Sequence, residues 1–315
     1  PATRPQSGLR PMTSLSENDF LRGAAASLRL GKQWKLLVFA SHQQLDATLT
    51  PQGEVKTFIT SGYHRTDTEL EKRHNTRATT VGGDVTWKKR HAYVGVTGYY
   101  ETFSRTLNPG SEVYRRIYPI GTHFGVAGIH YGYKYRNLTM AGETAYSTNR
   151  NGVATLNRIQ YAFSSLHSAG ILQRYYSDNY HSFHSSAMGE NSKVQNENGV
   201  LVYWRGETWS GLQMMAYADF FFMRWPPYGM THSNQGQELM GQVNYTLSSH
   251  HSLTLSYRWK NQEQYDKPDP HHRLKAQWTF TPTEQGKCTG HGALHHTTEG
   301  TGLGIQAGVQ QALEQ

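Results

Sequence analysis

The chain has 315 residues and a formal charge of +8; 36% of residues are hydrophobic, 17% are charged and 12% are aromatic, with 20 Tyr outnumbering 7 Trp and 11 Phe together. Leaving glycine aside, no apolar run exceeds five residues (Leu36 to Ala40, Val200 to Trp204), whereas a membrane helix needs about 20, so helical spans are excluded. The single Cys288 excludes a disulfide scaffold and a cysteine zinc cluster, and the aromatic content argues against an ordinary disordered chain. A basic balance suits acidic partners such as nucleic acid or lipid head groups, but the Lys and Arg residues are scattered and define no patch.

In chain order, residues 1–19 read as a loop or linker entering the first strand. No basic-then-apolar leader follows Pro1, so an export signal is expected upstream. Strands are predicted near 20–30, 34–42, 78–88, 91–102, 121–134, 137–148, 153–165, 169–178, 198–206, 208–220, 236–247, 250–260 and 271–281, about 13 in all. The signal is period two. Leu253, Leu255, Tyr257 and Trp259 alternate with Thr254, Ser256, Arg258 and Lys260; Leu274, Ala276, Trp278 and Phe280 alternate with Arg273, Lys275, Gln277 and Thr279. Successive strand side chains point to opposite faces, so each segment has one apolar and one polar face.

Predicted strand lengths, about 9–14 residues, exceed the soluble mean of about 5–6 and match the need of a tilted bilayer crossing. Short turns near 31–33, 89–90, 135–136, 165–167, 206–207 and 248–249 alternate with long loops at 43–77, 103–120, 179–197, 221–235 and 261–270 and a shorter one near 149–152. Outer-membrane barrels carry this asymmetry, short turns at one end and long loops at the other. Aromatics gather toward strand ends (among them Trp87, Tyr99, Tyr133, Tyr135, Tyr161, Tyr176, Trp204 and Trp278), as girdles do. The expectation is an all-β, antiparallel transmembrane β-barrel of outer-membrane type, occupying 20–285 and truncated at both ends. Residues 286–315 contain no Phe, Tyr or Trp and seven glycines. They are expected to be a tail, out of frame or disordered, with no strand.

Phe20-Leu21-Arg22-Gly23-Ala24-Ala25-Ala26, Ser61-Gly62-Tyr63-His64-Arg65-Thr66, Gln173-Arg174-Tyr175-Tyr176-Ser177, Val194-Gln195-Asn196-Glu197-Asn198-Gly199 and Ala216-Tyr217-Ala218-Asp219-Phe220 together resemble the barrel portion of the outer-membrane helix-hairpin-helix domain-containing proteins of the Bacteroidota. The resemblance covers 8 to about 285. It implies a barrel in a Gram-negative outer membrane and supplies no catalytic residues. The helix-hairpin-helix part is missing from this chain, so a link to DNA rests on family association alone.

Several residues stand out for chemistry. Glu101, Glu143, Arg158, Asp219, Arg258 and Lys260 lie on the polar phases of their strands and are candidates to line a lumen, where they would set charge selectivity. The competing expectation is a plugged, hydrogen-bonded interior. Tyr114, Arg115, Arg116 and Tyr118 form a basic-aromatic patch in a long loop, suited to sugar or a single-stranded nucleic acid, or simply to packing of the loop on itself. His181-x-x-His184 lacks helix-face spacing and a cysteine, so loop histidines are expected rather than a metal site. Ser182, His184, Ser185 and Asp178 are the one set a rim hydrolase could use, and no G-x-S-x-G elbow accompanies them. Residues 68–77 read as a solvated loop or short helix.

The expected role is therefore a non-enzymatic outer-membrane barrel, either a pore or a surface-binding scaffold, with no cofactor. Its expected partners are outer-membrane lipid and a small solute or glycan. The alternatives are an outer-membrane hydrolase with a rim Ser/His site and a secreted soluble β-sandwich that binds carbohydrate.

Overall fold

A computed structural model describes residues 20–209, 211–283, 286–298 and 300–311. The predicted linker at 1–19 lies outside these residues. Sixteen strands form one sheet: β1 (Gly23–Leu30), β2 (Trp34–Leu49), β3 (Val55–Ile59), β4 (Thr76–Lys89), β5 (Ala92–Leu107), β6 (Gly121–Tyr135), β7 (Leu138–Ser147), β8 (Gly152–Ala162), β9 (His167–Tyr176), β10 (Glu197–Trp209), β11 (Leu212–Met223), β12 (Asn234–Thr246), β13 (His251–Gln264), β14 (Lys267–Thr283), β15 (Gly286–Thr297) and β16 (Gly300–Gln311). The order is a meander in which neighbours in sequence are neighbours in space, apart from β3. β2 pairs with β4 along Trp34–Leu45, and its last residues turn to pair with β3. β3 also touches β5 in a single parallel bridge, Val55 to Leu107.

The prediction of about 13 strands is too low by three. β3 lies within the predicted 43–77 loop, which also holds the helix α1 (Asp67–Glu71); Thr66 and Glu69 cap α1 reciprocally. β15 and β16 replace the strandless tail. Their alternation is real but written in small residues: Leu303, Ile305 and Ala307 alternate with Gly302, Gly304 and Gln306. Without aromatics or charges on the second face, the period is hard to see. The predicted loop 261–270 is also strand, folded at the two-residue turn Tyr265-Asp266, where both residues have positive φ. That is the backbone a two-residue hairpin needs to match strand twist. The turn expected at 206–207 falls later: β10 runs to Trp209, and Gly211, with φ +82°, stands at the bend.

The two faces differ as the period-two reading requires. Val81, Val85, Val94, Val96, Ile129, Ile159, Ile171, Val200, Val202, Leu239, Leu253, Leu255 and Leu274 are all exposed. The alternate positions of these strands hold Thr80, Glu101, Arg174, Glu197 and Glu238, all buried, and on β11 buried Asp219 alternates with exposed Phe220. Apolar side chains face out and polar ones are enclosed, the reverse of a soluble protein. Two of the end-of-strand aromatics depart from the girdle expectation. Tyr99 and Tyr176 belong to the polar face, where Tyr99 Oη lies 3.0 Å from Ser182 Oγ and Tyr176 Oη donates to the Met188 carbonyl.

By compactness the chain divides into two units. The first comprises 1–135, 140–157 and 174–197; the second comprises 136–139, 158–173 and 198–315. In the first unit Ala47, Val55, Ala78, Phe103, Leu107 and Phe124 form an apolar cluster. In the same unit Arg174 Nε donates to Glu197 Oε1 at 2.5 Å, with both side chains essentially inaccessible. The other carboxylate oxygen accepts the backbone N–H groups of Glu190 and Asn191. In the second unit Glu238 accepts from Tyr217 Oη and pairs with Arg258.

A buried pair tolerates loss of one partner badly, because the survivor keeps its desolvation cost without its compensation. Arg174→Met should therefore cost about 3–5 kcal/mol, read as a lowered urea midpoint for unfolding from detergent micelles. Wild-type stability in that variant would show Glu197 to be satisfied by its backbone donors alone.

Candidate functional site

The residues that could carry function are brought together by a loop. Between Tyr176 and Glu197 the chain leaves the sheet and packs back on it within the first unit. Phe183 is the anchor, its ring centre 5.1 Å from Phe103, 5.2 Å from Phe124 and 6.2 Å from Phe58. On either side of it Ser182 meets Tyr99, and His184 Nε2 lies 3.2 Å from Glu101 Oε1. Farther along, Gln195 donates to the carbonyls of Ile117 and Asp178, tying this loop to the 108–120 loop.

These two loops and β3 enclose a cavity of about 440 Å³. The basic-aromatic patch forms part of its wall. A short 3₁₀ turn at Val113–Arg115 presents Tyr114 and Arg115; Arg115 Nε donates to Tyr114 Oη at 2.7 Å and its Nη1 to the Pro109 carbonyl at 3.0 Å. Tyr118 stands edge-on to Tyr114. Arg116 is not among the wall residues; it is exposed, and its Nε lies 3.4 Å from the Ser111 carbonyl. From the opposite loop come Tyr180, His181 and Lys193, none of which the sequence pattern separates from ordinary loop polar residues. Lys193 places its ammonium 3.9 Å from the centre of the Tyr118 ring. Lys193 is exposed, and partial desolvation of its ammonium, with Arg115 adding to it, pushes its pKa below the usual lysine range. Burial also drives His181 down to about 3, with Arg150 and Lys193 pushing the same way, so its ring is neutral at physiological pH. Tyr118 is raised, mainly by burial.

The polar-phase candidates divide. Glu101 is fully buried, accepting from Thr80 Oγ1 as well as facing His184. Glu143 is exposed on the face it shares with buried Ala145 and Ser147. In the second unit Asp219 is buried, Arg158 is half-buried, Arg258 is committed to Glu238, and Lys260 Nζ lies 5.6 Å from the Phe221 ring centre. The hydrolase set is not assembled: among the described residues Ser182 bonds Tyr99 and His184 faces Glu101, with no hydrogen bond from His184 to Ser182 or Ser185. Nor does any group of three or more metal donors occur among them.

No protein-family model and no curated protein matches the chain. Among solved structures the chain is similar to the FrpB iron transporter from Neisseria meningitidis in its apoprotein form, with 10% identity and a TM-score of 0.50, over 93% of this chain and 56% of that one. It thus spans little more than half the length of that transporter. It is also similar to the KdgM porin (15% identity, 61% of this chain and 93% of that one, TM-score 0.28) and to that porin in complex with disordered oligogalacturonate (TM-score 0.25). These last superpositions are too loose to carry an argument, and at 10% identity the first speaks to fold alone. The fold is an antiparallel β-barrel of the outer-membrane type.

The Phe183 side chain holds the 177–196 loop through ring contacts, and its backbone N–H, which donates to Tyr99 Oη, survives truncation, so Phe183→Ala should destabilise the docked loop by roughly 3 kcal/mol. Limited proteolysis checks this: cleavage within 177–196 should accelerate at least tenfold while the strands stay protected. Unchanged cleavage would assign the docking to Gln195 and Tyr99 instead.

Proposed function

We propose that the protein is a non-enzymatic outer-membrane barrel that handles a small solute at the cell surface. The observation that carries this reading is the exposed apolar phase repeated on strand after strand, from Val81 on β4 to Leu274 on β14, while carboxylates and guanidiniums occupy the other phase. An apolar outer band over an enclosed polar face is what a strand sheet needs to sit in lipid. Strand lengths, mostly 10–17 residues, support it, and so does the asymmetry of the connections. At one end of the strands the turns at 31–33, 90–91 and 136–137 are tight, and at the other the 60–75, 108–120, 177–196 and 224–233 segments are long, with the tight 265–266 turn as the exception at that end. Lipid is the first partner in this reading, and membership of the Bacteroidota helix-hairpin-helix barrel family belongs to it as well, on the motifs quoted above.

Pore and surface-binding scaffold are the two forms the role can take. Docking of the 177–196 loop on Tyr99, Glu101 and Phe103 favours the scaffold, because it fills part of the polar face with protein. In that form Glu101 is an anchor for the loop, and Glu143, Asp219, Arg158, Arg258 and Lys260 serve the hydration and pairing of the interior more than ion selection.

Two measurements test this. The membrane-extracted chain should migrate faster in SDS before boiling than after, and planar-bilayer conductance should be small and rise when the 177–196 loop is released by Phe183→Ala. A chain that is soluble without detergent and shows no mobility shift would overturn the barrel in favour of a soluble β-protein. Ile159→Arg should cost about 2–4 kcal/mol if its site lies near mid-membrane and lower the assembled fraction, whereas Arg158→Leu, on the opposite face, should be the milder change. Equal assembly of the two variants would refute the phase assigned to β8.

A further inference from the structure

The cavity at the long loops gathers cations without gathering acids. Lys56, Arg115 and Lys193 line it, and no Asp or Glu is among its wall residues. Glu112, outside the wall, lies 3.5 Å from Lys56 Nζ and 3.9 Å from Arg115 Nε. Lys193 has no such partner: among the described residues no carboxylate forms an ion pair with it, and its ammonium rests on the Tyr118 ring. An ammonium held on a ring face with no carboxylate beside it keeps its charge available to an anion delivered from outside.

The rest of the wall describes the body of that anion. Tyr114, Tyr118, Tyr180 and Phe58 offer ring surface, and Val55 and Leu107 extend the apolar area. Aromatic walls with a few placed polar groups are how small-molecule sites bury a flat ligand, and the volume falls within the range of about 300–1,000 Å³ that such sites occupy. The cavity is too small to enclose a polymer chain, and its cations converge instead of tracking a backbone, so a nucleic-acid groove is disfavoured. His181 marks how closed the region is: it is 7% exposed, and its Nε2 finds no hydrogen-bond partner among the described residues.

We infer that this cavity binds a small organic carboxylate, its charged group against Lys193 and Arg115 and its flat apolar body against the tyrosines. The inference deepens the proposed function by naming a solute class. It rests on that reading only for the side of the membrane that the cavity faces.

The test uses the full chain folded into detergent micelles, with heat-modifiable mobility as an independent report on the barrel. Calorimetry would compare 4-hydroxybenzoate, its neutral counterpart 4-hydroxybenzyl alcohol, and inorganic phosphate. The carboxylate should bind at least tenfold more tightly than either of the others. Lys193→Gln should weaken it at least tenfold, while Lys89→Gln, at a tight turn between β4 and β5, should leave it unchanged. Equal affinity for the alcohol would remove the role of charge. Equal affinity for phosphate would reduce the site to a bare anion site and overturn the organic part. Undiminished binding by Lys193→Gln would overturn the assignment of the cavity. A chain that shows the mobility shift yet binds none of the three sinks this inference and leaves the barrel reading standing.

Discussion

Backbone hydrogen bonding in a medium without water is the constraint on which everything else in this protein depends. In hydrocarbon an unpaired N–H or C=O has nothing to bond, so a spanning strand needs a neighbour on each side. Between β2 and β15 the meander provides them with the shortest connections, and only β3 departs from sequence order; β1 and β16, at the two ends of the pairing order, each pair on one side among the described residues. Backbone pairing makes no demand on side chains, and so both faces are free to be written independently. One face is left apolar and exposed, and the other is given over to charge.

The charged face is where specific structure is bought. A carboxylate enclosed among strands has to be answered locally. Glu197 has Arg174 and two backbone amides, Glu238 has Arg258 and Tyr217, and in the first unit Asp84 has His130, Thr86 and Thr97. Tyr and Thr hydroxyls recur in these networks because they donate without adding charge. Glu101, like Glu197, takes its partners, Thr80 and His184, from the sheet and from a loop. Through it the interior of the first unit is coupled to the 177–196 loop, and through that loop to the basic-aromatic cavity. The structural and candidate binding roles are thus carried by one continuous set of contacts.

How much of this was legible in the sequence follows from the range of each interaction. Strand phase is a local property, and Ile159 against Arg158 or Leu253 against Thr254 is read directly from alternation. Turns are nearly local. Gly31 falls where a short turn is expected, but Tyr265-Asp266 hides its turn because Tyr265 is an unusual choice for positive φ and no glycine accompanies Asp266, and the two prolines beside it, Pro268 and Pro270, suggest a loop. β15 and β16 escape the period-two reading because glycine blanks one face of each, the apolar phase of β15 at Gly290 and Gly292 and the second face of β16 at Gly302 and Gly304. Tyr114, Arg115 and Tyr118 were singled out because charge and aromaticity coincide within five residues; Lys193 was not, since its partner Tyr118 lies 75 positions away in the chain.

The sequence by itself determined an antiparallel sheet of long strands and its apolar and polar phases, because each depends on residues one or two positions apart. Only the tertiary structure decided which polar-phase groups are buried in pairs and which stay exposed. It also decided that Phe183 docks a loop on β5, and that Lys56, Arg115 and Lys193 converge on one cavity. Those outcomes turn on distances between residues far apart in the chain. Such distances are set by strand register and loop return, which alternation within a single strand does not encode.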